Sequence, residues 1–427
     1  MNTTDFDMER ILAPIQADAF LRDVWEREPL AIHRKRRDHY AGLFSLNDVD
    51  SVIAFTRPRF TETATFVGGP PETRCVQGWL PDQEQAPGDL YPGIAEVRRV
   101  YAEGKTVVIR GMQHRWPAIA SLCRSLEGVF HCPVHGNLYL TPPKSQGFDT
   151  HFDAHEVFAL QLDGVKHWRL YGPAAVLPLA GEKANVPRAQ LGKREEVRLE
   201  AGDLLYIPRG HAHDAFTSER NSLHLTIGIN VFRWADLLRS ALDDLSRRDA
   251  RFRETLPAEV VCDDGESPTN EKRFQELLSC LADQASFGAA ACRLGTEFWN
   301  GLPMLPHSRF VAADRLQSVD GDTVLVKTPG ALCRCRVDEA GAMIQFPGGQ
   351  VTGPTKIGPA LQFIARSDRF AVRDLPGDLE NGGKVTLARR FIREGLLMIA
   401  ESIERGTEIT KPIDEIEIDR EELHSLS

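Results

Sequence analysis

The fold is decided by residues 151–171, which read HFDAHEVFALQLDGVKHWRLY. Two runs rich in apolar residues, Glu156–Leu162 and Lys166–Tyr171, lie on either side of the dipeptide Asp163-Gly164. A dipeptide of this type readily supplies the positive φ angles of a tight hairpin turn. We therefore predict that the two runs form an antiparallel strand pair joined at Asp163-Gly164.

Short β-rich runs continue on both sides of this predicted hairpin. From Lys105 onward, Gly, Pro and Asp residues interrupt β-branched and apolar runs at close spacing. This pattern is typical of a β-sandwich or a β-barrel. We predict further strands at five places: Val107–Ile109, Asn137–Thr141, Glu195–Leu199, Leu204–Pro208 and Ser222–Val231.

The start of the quoted stretch carries a candidate metal site. His151 and Asp153 are two residues apart, so their side chains point to the same side of an extended segment. A third candidate ligand, His213, follows an apolar run bounded by two turns. Two histidines and one carboxylate leave positions open on iron(II), which is the arrangement of non-haem oxygenases. We interpret these three residues as the metal ligands.

Two other histidines compete for this role. His155 lies two residues after Asp153, and His211 lies two residues before His213. Spacing alone excludes neither of them as a ligand or as a residue that supports the ligands. The commoner alternative for both is a solvated loop histidine. The sequence leaves these alternatives open.

Lys166 begins the second run of the predicted hairpin, where a two-residue turn would place it opposite Gln161. A lysine beside a buried metal would neutralise the far carboxylate of a dicarboxylate cosubstrate, acting as a point charge. Taken alone, an exposed strand lysine is the commoner interpretation. The candidate metal ligands nearby favour a cosubstrate-binding role.

The run Ser222–Val231 alternates between apolar and polar residues. Its second face carries His224 and Asn230 together with a threonine and a glycine. This face either lines the pocket, with His224 or Asn230 in contact with a cosubstrate, or is the solvated face of an ordinary sheet. We keep both interpretations.

The regions outside the β-rich core are predicted from their periodicity. Residues 1–100 favour helices that form a supporting layer. An apolar helical stripe follows Phe232, and a second helix is predicted at Glu271–Ala282. From about Pro306, strand pairs mixed with short helices fit a winged helix, which an acidic tail follows.

The overall composition excludes several classes of protein. Hydrophobic residues make up 42% of the 427 and charged residues 26%, which is typical of globular proteins. A net charge of −10 disfavours non-specific binding to nucleic acid, and no apolar stretch predicts a membrane helix. The polar N-terminus lacks the features of a secretory signal, which predicts a cytoplasmic protein. Eight scattered cysteines without a Cys-x-x-Cys pair favour thiols over disulfides or a zinc site.

Several motifs together resemble a known family, the ribosomal oxygenases of the cupin-type Jumonji C group. The similar segments are NLYLTPPKSQG (137–147), HFD (151–153), VFALQ (157–161), GVKHW (164–168), Gly202-Asp203, YIP (206–208), Gly210, His213 and SLHLTIG (222–228). The resemblance covers about residues 10–232, and the order of the downstream regions is also similar.

The resemblance implies a mainly β catalytic domain at residues 1–232, a double-stranded β-helix or cupin jelly roll, with its core at about residues 105–232 and a helical N-terminal layer. It further implies a helical dimerisation segment at residues 233–305 and a C-terminal winged helix at residues 306–427. A homodimer is therefore expected. The alternative is that the apolar stripe from Leu237 packs within one chain.

The resemblance also assigns the site. It implies iron(II) held by the three candidate ligands and 2-oxoglutarate anchored through its distal carboxylate by Lys166, with Asn137 and His224 lining the cosubstrate pocket. In that chemistry O2 and 2-oxoglutarate are consumed, succinate and carbon dioxide are released, and an unactivated C–H bond is hydroxylated. Family members act on ribosomal proteins, so a protein or peptide substrate is expected. Pro143-Lys144 departs from the smaller pair that many members have at these positions.

Two other functions, and a variant of the same oxidation, are alternatives to this hydroxylase. In a transcriptional regulator, the cupin would sense a ligand and the winged helix would bind DNA. Its support is a local charge of +3 over residues 356–394, where eight basic residues face five acidic ones. A cupin scaffold without activity is a third hypothesis. Demethylation of methyl-lysine is a variant of the same oxidation, and the sequence does not distinguish it from hydroxylation.

Overall fold

The computed structural model describes residues 6–58, 64–67, 93–179, 181–182, 191–262, 267–305 and 313–400. The chain divides into two compact units, Asn2–Gly301 and Leu302–Ser427. The first unit therefore includes the predicted β-rich domain and the predicted helical segment as far as Gly301. The predicted acidic tail and residue 306, the predicted start of the last domain, lie outside the described residues.

Helices and short strands come first in the first unit. They are α1 (Met8–Leu12), α2 (Ala17–Asp23), β1 (Leu30–Ile32), α3 (Asp48–Thr56), β2 (Ala64–Val67), α4 (Ile94–Ala102), β3 (Thr106–Ile109) and α5 (Pro117–Phe130). The longer strands follow: β4 (Val134–Thr141), β5 (Glu156–Pro173), β6 (Glu195–Glu200), β7 (Leu204–Ile207), β8 (His211–Phe216) and β9 (Ser222–Ile229). The five further strands predicted from the sequence are confirmed as β3, β4, β6, β7 and β9.

Strand β5 belongs to two sheets. The larger sheet has the order β1-β7-β5-β9-β4-β3-β2, and the first half of β5 lies in it between β7 and β9. The second half of β5 pairs instead with β6 and β8. Every one of these pairings is antiparallel. The long strand therefore connects two sheets that face each other across an interior space.

The predicted hairpin at Asp163-Gly164 is wrong. β5 continues through both residues, and its pairing with β9 shifts register between Gln161 and Asp163. Gly164 has a φ of 71°, and a Cβ atom there would lie 1.9 Å from the carbonyl oxygen of Asn221. The positive φ therefore serves a bulge that redirects the strand into the second sheet, and no chain reversal follows. As a result, Lys166 lies opposite Leu199 and not opposite Gln161.

Two apolar layers pack on this framework. Buried residues of the N-terminal helices, such as Phe20 and Leu122, share one core with Leu138, Phe158 and Leu225 of the larger sheet. A second core lies between the sheets and consists of Val157, Ala159, Trp168, Leu170, Val197, Leu199, Leu205 and Ile207. Because side chains alternate along a strand, the polar residues of β4 and β9 face the same interior as this second core.

Helices follow the β-rich part of the first unit: α6 (Trp234–Arg248), α7 (Ala258–Cys262), α8 (Pro268–Gln284) and α9 (Phe287–Gly301). The predicted helices after Phe232 and at Glu271–Ala282 are confirmed. The Ser240 hydroxyl on α6 donates a hydrogen bond of 3.0 Å to the Ala290 carbonyl on α9. No helix in the described ranges is long and apolar enough to cross a bilayer.

The second unit has two three-stranded sheets and two longer helices. Its elements are β10 (Val324–Lys327), β11 (Arg334–Asp338), β12 (Gly341–Phe346), β13 (Gly349–Gly353), α10 (Gly358–Arg366), β14 (Arg369–Ala371), α11 (Asn381–Glu394) and β15 (Leu397–Ile399). The sheet orders are β14-β10-β15 and β11-β12-β13. Leu325, Ile344, Leu361 and Phe391 belong to one core that joins both sheets and both helices.

We predict that Gly164→Ala destabilises the fold by about 2–4 kcal/mol, because it adds a steric clash to the strain of a positive φ. Gly172→Ala, on the same strand, is the matched control. Gly172 also has a positive φ, of 82°, but nothing lies within 4 Å of a Cβ there, so only about 1 kcal/mol of strain is expected. Urea unfolding of both variants measures the difference, and equal losses would contradict the proposed close approach at Asn221.

Candidate metal centre

The backbone brings three candidate ligands together. His151 and His213 exchange two hydrogen bonds: the His151 amide donates to the His213 carbonyl (3.1 Å) and the His213 amide to the His151 carbonyl (2.8 Å). The Gly210 amide donates to the Asp153 carbonyl at 2.8 Å. The segment before β5 and the strand β8 are therefore fixed against each other at the ligand positions.

The two imidazoles are oriented by backbone carbonyls. Nδ1 of His151 lies 2.7 Å from the Asp149 carbonyl oxygen, and Nδ1 of His213 lies 3.0 Å from that of His211. Because a carbonyl only accepts hydrogen bonds, Nδ1 carries the hydrogen in both rings, which leaves the Nε2 lone pairs free. One ligand atom from each of His151, Asp153 and His213 lies within 4.8 Å of the others. This spacing is compatible with one shared metal ion, which binds such atoms at about 2.0–2.2 Å.

The electrostatics of His213 and Asp153 suit metal binding at neutral pH. Burial lowers the pKa of His213 to about 4, and the charge of His151 acts in the same direction, so the ring stays neutral. Burial by itself would raise the pKa of Asp153, but the charges of the surrounding histidines, His155 first among them, outweigh it and lower this pKa. The centre therefore offers neutral imidazole and ionised carboxylate, the forms that bind metal.

His155 and His211 stand outside this group of ligand atoms. The cluster found among the described residues consists of His151, Asp153 and His213. The ring of His155 instead packs against that of His135, with ring centroids 5.0 Å apart. His211 contributes its carbonyl, which orients His213 as described above. The geometry thus favours the original three candidates over the two competing histidines.

Lys166 is buried in the interior on the second half of β5. Only 2% of the residue is exposed, and its Nζ donates a hydrogen bond of 2.8 Å to the Thr141 hydroxyl on β4. Burial lowers its pKa to about 7. Within the described ranges, no carboxylate forms an ion pair with this amine. A buried ammonium whose hydrogen-bond partner is one hydroxyl suits an anionic ligand group.

His224 lies in the same interior. Every residue of β9 is buried, so the interpretation of its polar face as a solvated face is wrong. The His224 ring stacks on Tyr139 at a centroid distance of 4.7 Å and meets the edge of Trp168 at 5.5 Å. Burial and the nearby charge of Lys166 lower its pKa well below the usual value. Its Nδ1 is buried and has no hydrogen-bond partner among the described residues.

Asn137 and Asn230 occupy different environments. Asn137 lies opposite Thr226 in the β4–β9 pairing, on the same strand face as Tyr139 and Thr141. Its Oδ1 accepts a hydrogen bond of 3.3 Å from the Gly111 amide. Asn230 is exposed beyond the end of β9, and its Nδ2 lies 3.1 Å from Nδ1 of His135. Asn137 therefore faces the interior, whereas Asn230 lies at its edge.

Three interior residues were missed by the sequence reasoning: Thr141, Tyr139 and Trp168. Thr141 and Tyr139 share a strand face with Asn137, so the alternation of β4 would have found them once Asn137 was placed. Trp168 follows Lys166 by two residues on the same face of β5. Its ring lies 5.9 Å from that of His213, and its Nε1 is buried without a partner among the described residues. These side chains complete the walls between Lys166 and the candidate ligands.

Comparison with known proteins agrees with this geometry. The model of the JmjC domain family matches residues 112–237, which include the three candidate ligands and Lys166. A protein of Culex quinquefasciatus named bifunctional lysine-specific demethylase and histidyl-hydroxylase NO66 is 30% identical over 302 residues, 66% of this chain and 45% of that protein. Ribosomal oxygenase 1 of Gallus gallus is 32% identical over 302 residues, 66% of this chain and 48% of that protein. The chain thus spans about half the length of these curated relatives.

A solved structure shares the fold along most of the chain. The ribosomal oxygenase YcfD of Escherichia coli, in complex with cobalt and 2-oxoglutarate, aligns with a TM-score of 0.54. The alignment covers 91% of this chain and 99% of that chain, at 16% sequence identity. It confirms the predicted cupin-type, sheet-rich domain. The chain therefore contains a JmjC domain, at residues 112–237, and resembles the ribosomal oxygenases in sequence and in fold.

Proposed function

We propose that the protein is an iron(II)- and 2-oxoglutarate-dependent oxygenase that hydroxylates a side chain of a protein or peptide. The observation that carries this proposal is the combination of two features in one interior. His151, Asp153 and His213 direct a two-histidine, one-carboxylate set at one point. Lys166 is buried in the same interior without a carboxylate partner in the described part of the chain.

The three candidate ligands would hold the iron, and their donor set fits it. Two imidazoles and a carboxylate bind one face of an octahedral iron(II) and leave three positions open. With 2-oxoglutarate and O2, bound iron supplies the oxidation of an unactivated C–H bond, with succinate and carbon dioxide as coproducts. The protein's own contribution is to fix the imidazole tautomers through Asp149 and His211 and to keep the inner side of the site dry.

Lys166 and its neighbours would bind 2-oxoglutarate. The ammonium of Lys166 and the Thr141 hydroxyl offer donors to the distal carboxylate, and His224, with its unpartnered Nδ1, lies close enough for its pKa to respond to Lys166. Trp168 adds a second buried nitrogen without a partner among the described residues. Asn137 lies on the same face of β4 as Thr141, nearer the start of that strand. An anionic ligand would thus satisfy groups that the described side chains leave open.

The substrate of the reaction is proposed from the names of the relatives. These names describe ribosomal oxygenases and a combined demethylase and histidyl-hydroxylase. Hydroxylation of a ribosomal protein side chain is therefore the first candidate for this chain. Demethylation would use the same interior, since it begins with hydroxylation of an N-methyl group. The regulator alternative gains no comparable observation in the described residues.

The remaining parts of the chain are proposed to serve assembly. We propose a double-stranded β-helix at residues 105–232, a dimerisation segment at 233–305 and a winged helix from about residue 306. The dimer is supported by an exposed row on α6, in which Trp234, Leu238 and Leu242 are spaced four residues apart and are 76%, 63% and 39% exposed. Residues at this spacing lie on one helix face, and such apolar faces mark interaction sites. A cytoplasmic location stays a prediction.

His151→Ala should weaken iron(II) binding at least about 100-fold, since it removes one of three protein ligands. Anaerobic titration with iron(II) measures this affinity. Oxygen-dependent succinate release measures the loss of turnover that should follow. His211→Ala is the matched control, because it removes a neighbouring imidazole and keeps the carbonyl that orients His213. A folded His151→Ala protein that binds iron as tightly as the wild type would contradict the ligand assignment.

The affinity for 2-oxoglutarate should fall as pH rises above 7. The amine of Lys166 has a pKa of about 7, so it is charged below that pH and increasingly neutral above it. Both carboxylates of the ligand stay ionised, so each pH unit above 7 should weaken binding about tenfold. Calorimetry on the manganese-loaded protein between pH 6.5 and pH 9 measures this slope. Lys166→Arg, whose charge persists, should bind more weakly but without the slope; a flat wild-type profile would refute the prediction.

Charged substitutions in the exposed α6 row should dissociate the proposed dimer. Leu238→Glu combined with Leu242→Glu places two carboxylates on the apolar face, and the mass in solution is expected to fall to that of one chain. Sedimentation equilibrium measures the mass. Leu256→Glu, at an apolar residue that is 66% exposed outside this row, is the control and should leave the mass unchanged. A wild type that sediments as a single chain would exclude the dimer.

A further inference from the structure

A buried carboxylate lies on the face of strand β8 that is opposite to His213. Asp214 follows His213 directly, and successive side chains of a strand point to opposite faces. The side chain of Asp214 is completely buried, with a relative exposure of 0%. A carboxylate is retained in such a place only where other groups pair with it and donate hydrogen bonds to it. The partners of Asp214 therefore indicate what this residue does.

Three side chains donate hydrogen bonds to the Asp214 carboxylate. The Thr150 hydroxyl donates to Oδ2 at 2.7 Å, and the Tyr171 hydroxyl donates to the same oxygen at 2.9 Å. The Arg169 guanidinium donates to Oδ1 at 3.0 Å and forms an ion pair with it. Arg169 and Tyr171 belong to the second half of β5, whereas Thr150 belongs to the segment that leads to His151. The carboxylate therefore connects β8 to the chain segments on either side of it.

The contact between Thr150 and Asp214 lies one residue away from the two candidate ligand histidines. His151 and His213 face each other in an antiparallel bridge. In an antiparallel pair, the residue before one member lies opposite the residue after the other, so Thr150 lies opposite Asp214. One face of the two segments thus carries two imidazoles, and the other face carries a hydroxyl bonded to a carboxylate.

The backbone pairing beside this contact is irregular. A second bridge between the same two segments joins Gln146 to Phe216. Gln146 lies five residues before His151. On the other segment, Phe216 lies only three residues after His213. The chain between the two bridges therefore forms no regular ladder, and the side-chain bond of Thr150 adds a tie next to His151.

The position of Thr150 also affects the orientation of the His151 ring. Nδ1 of His151 lies 2.7 Å from the Asp149 carbonyl oxygen. That carbonyl belongs to the planar peptide group between Asp149 and Thr150, so a shift of Thr150 moves the acceptor that orients the ring. Metal sites tolerate ligand distances within only about 0.2 Å of the usual values. Loss of the Thr150 contact is therefore expected to move Nε2 of His151 away from its place beside Nε2 of His213.

We propose that Thr150 and Asp214 are positioning residues of the metal centre, whose contact holds the His151 ring where it and the His213 ring bind one metal ion. This inference rests on the proposed function, because it takes the two histidines as iron ligands. Thr150 and Asp214 act through these ligands, since both side chains lie on the opposite face of the two segments. Arg169 and Tyr171 have a different part, because they fix the carboxylate against β5.

Thr150→Val tests the contact, because valine has nearly the shape of threonine but lacks the hydroxyl. The full chain is titrated with cobalt(II) alone, which requires neither 2-oxoglutarate nor O2 and whose visible absorption reports the ligand geometry. Binding should weaken about tenfold or more, and the absorption bands should shift. Thr150→Ala removes the same hydroxyl and should behave alike. Thr150→Ser keeps a hydroxyl and should restore most of the affinity.

Thr217→Val is the matched control for Thr150→Val. The Thr217 hydroxyl is also buried and donates a hydrogen bond to the Pro142 carbonyl, farther along the same two segments. The substitution is chemically the same but lies four residues from His213. Urea unfolding without metal should show a loss of stability in both valine variants. The affinity for cobalt(II) and the absorption bands should change in Thr150→Val and stay those of the wild type in Thr217→Val.

Two results would overturn the proposal. One is cobalt(II) binding by Thr150→Val or Thr150→Ala with the affinity and the absorption of the wild type. The other is an equal loss of affinity in Thr217→Val, which would reveal a general effect of lower stability. A wild type that fails to bind cobalt(II), or that binds it no better than His151→Ala does, would instead reject the metal centre and the proposed function with it. The wild-type titration therefore separates the two failures.

Discussion

The path of strand β5 is the constraint on which the site depends. Its first half follows the Asp153 segment and pairs with β9, and its second half carries Lys166 and Trp168 and pairs with β8, where His213 lies. The bulge at Gly164 redirects the strand between the two sheets. If the strand reversed at Gly164, β8 and β9 would have to pair with other strands. The distance between the candidate metal ligands and Lys166 is thus set by one change of direction in the backbone.

Burial sets the charge state of the interior. Desolvation lowers the pKa values of His213 and His224, and the charges of nearby histidines, His155 first among them, lower the pKa of Asp153 despite its burial. Lys166 is the exception, because burial brings its pKa to about 7 and no carboxylate in the described residues opposes this effect. A dicarboxylate would restore the charged form on binding. Burial of Lys166 therefore lowers the stability of the free protein and, for the same reason, favours the binding of an anion.

The sequence predicted the residues of the site better than their arrangement. His151, Asp153 and His213 were chosen as candidate ligands because imidazoles and a carboxylate are chemically distinctive and because His213 follows an apolar run bounded by two turns. The hairpin was predicted wrongly because an Asp-Gly pair supplies a positive φ to a bulge as readily as to a turn. Thr141 and Trp168 were missed because a threonine or a tryptophan does not by itself indicate a binding site. Their position beside Lys166 becomes clear only from the register of the strands. Strand β8 was not predicted, since its polar residues lack the apolar alternation that marks a strand.

Some of the buried polar atoms without partners in the described chain face the interior near Lys166. Buried ring nitrogens without partners in the described chain occur at His155, Trp168, His211 and His224. Each such atom lowers stability by about 1–3 kcal/mol unless a ligand or water pairs with it. Apolar side chains at these positions would avoid this loss of stability. Of these residues, Trp168 and His224 lie in contact with each other near Lys166, where an anionic ligand is proposed to bind.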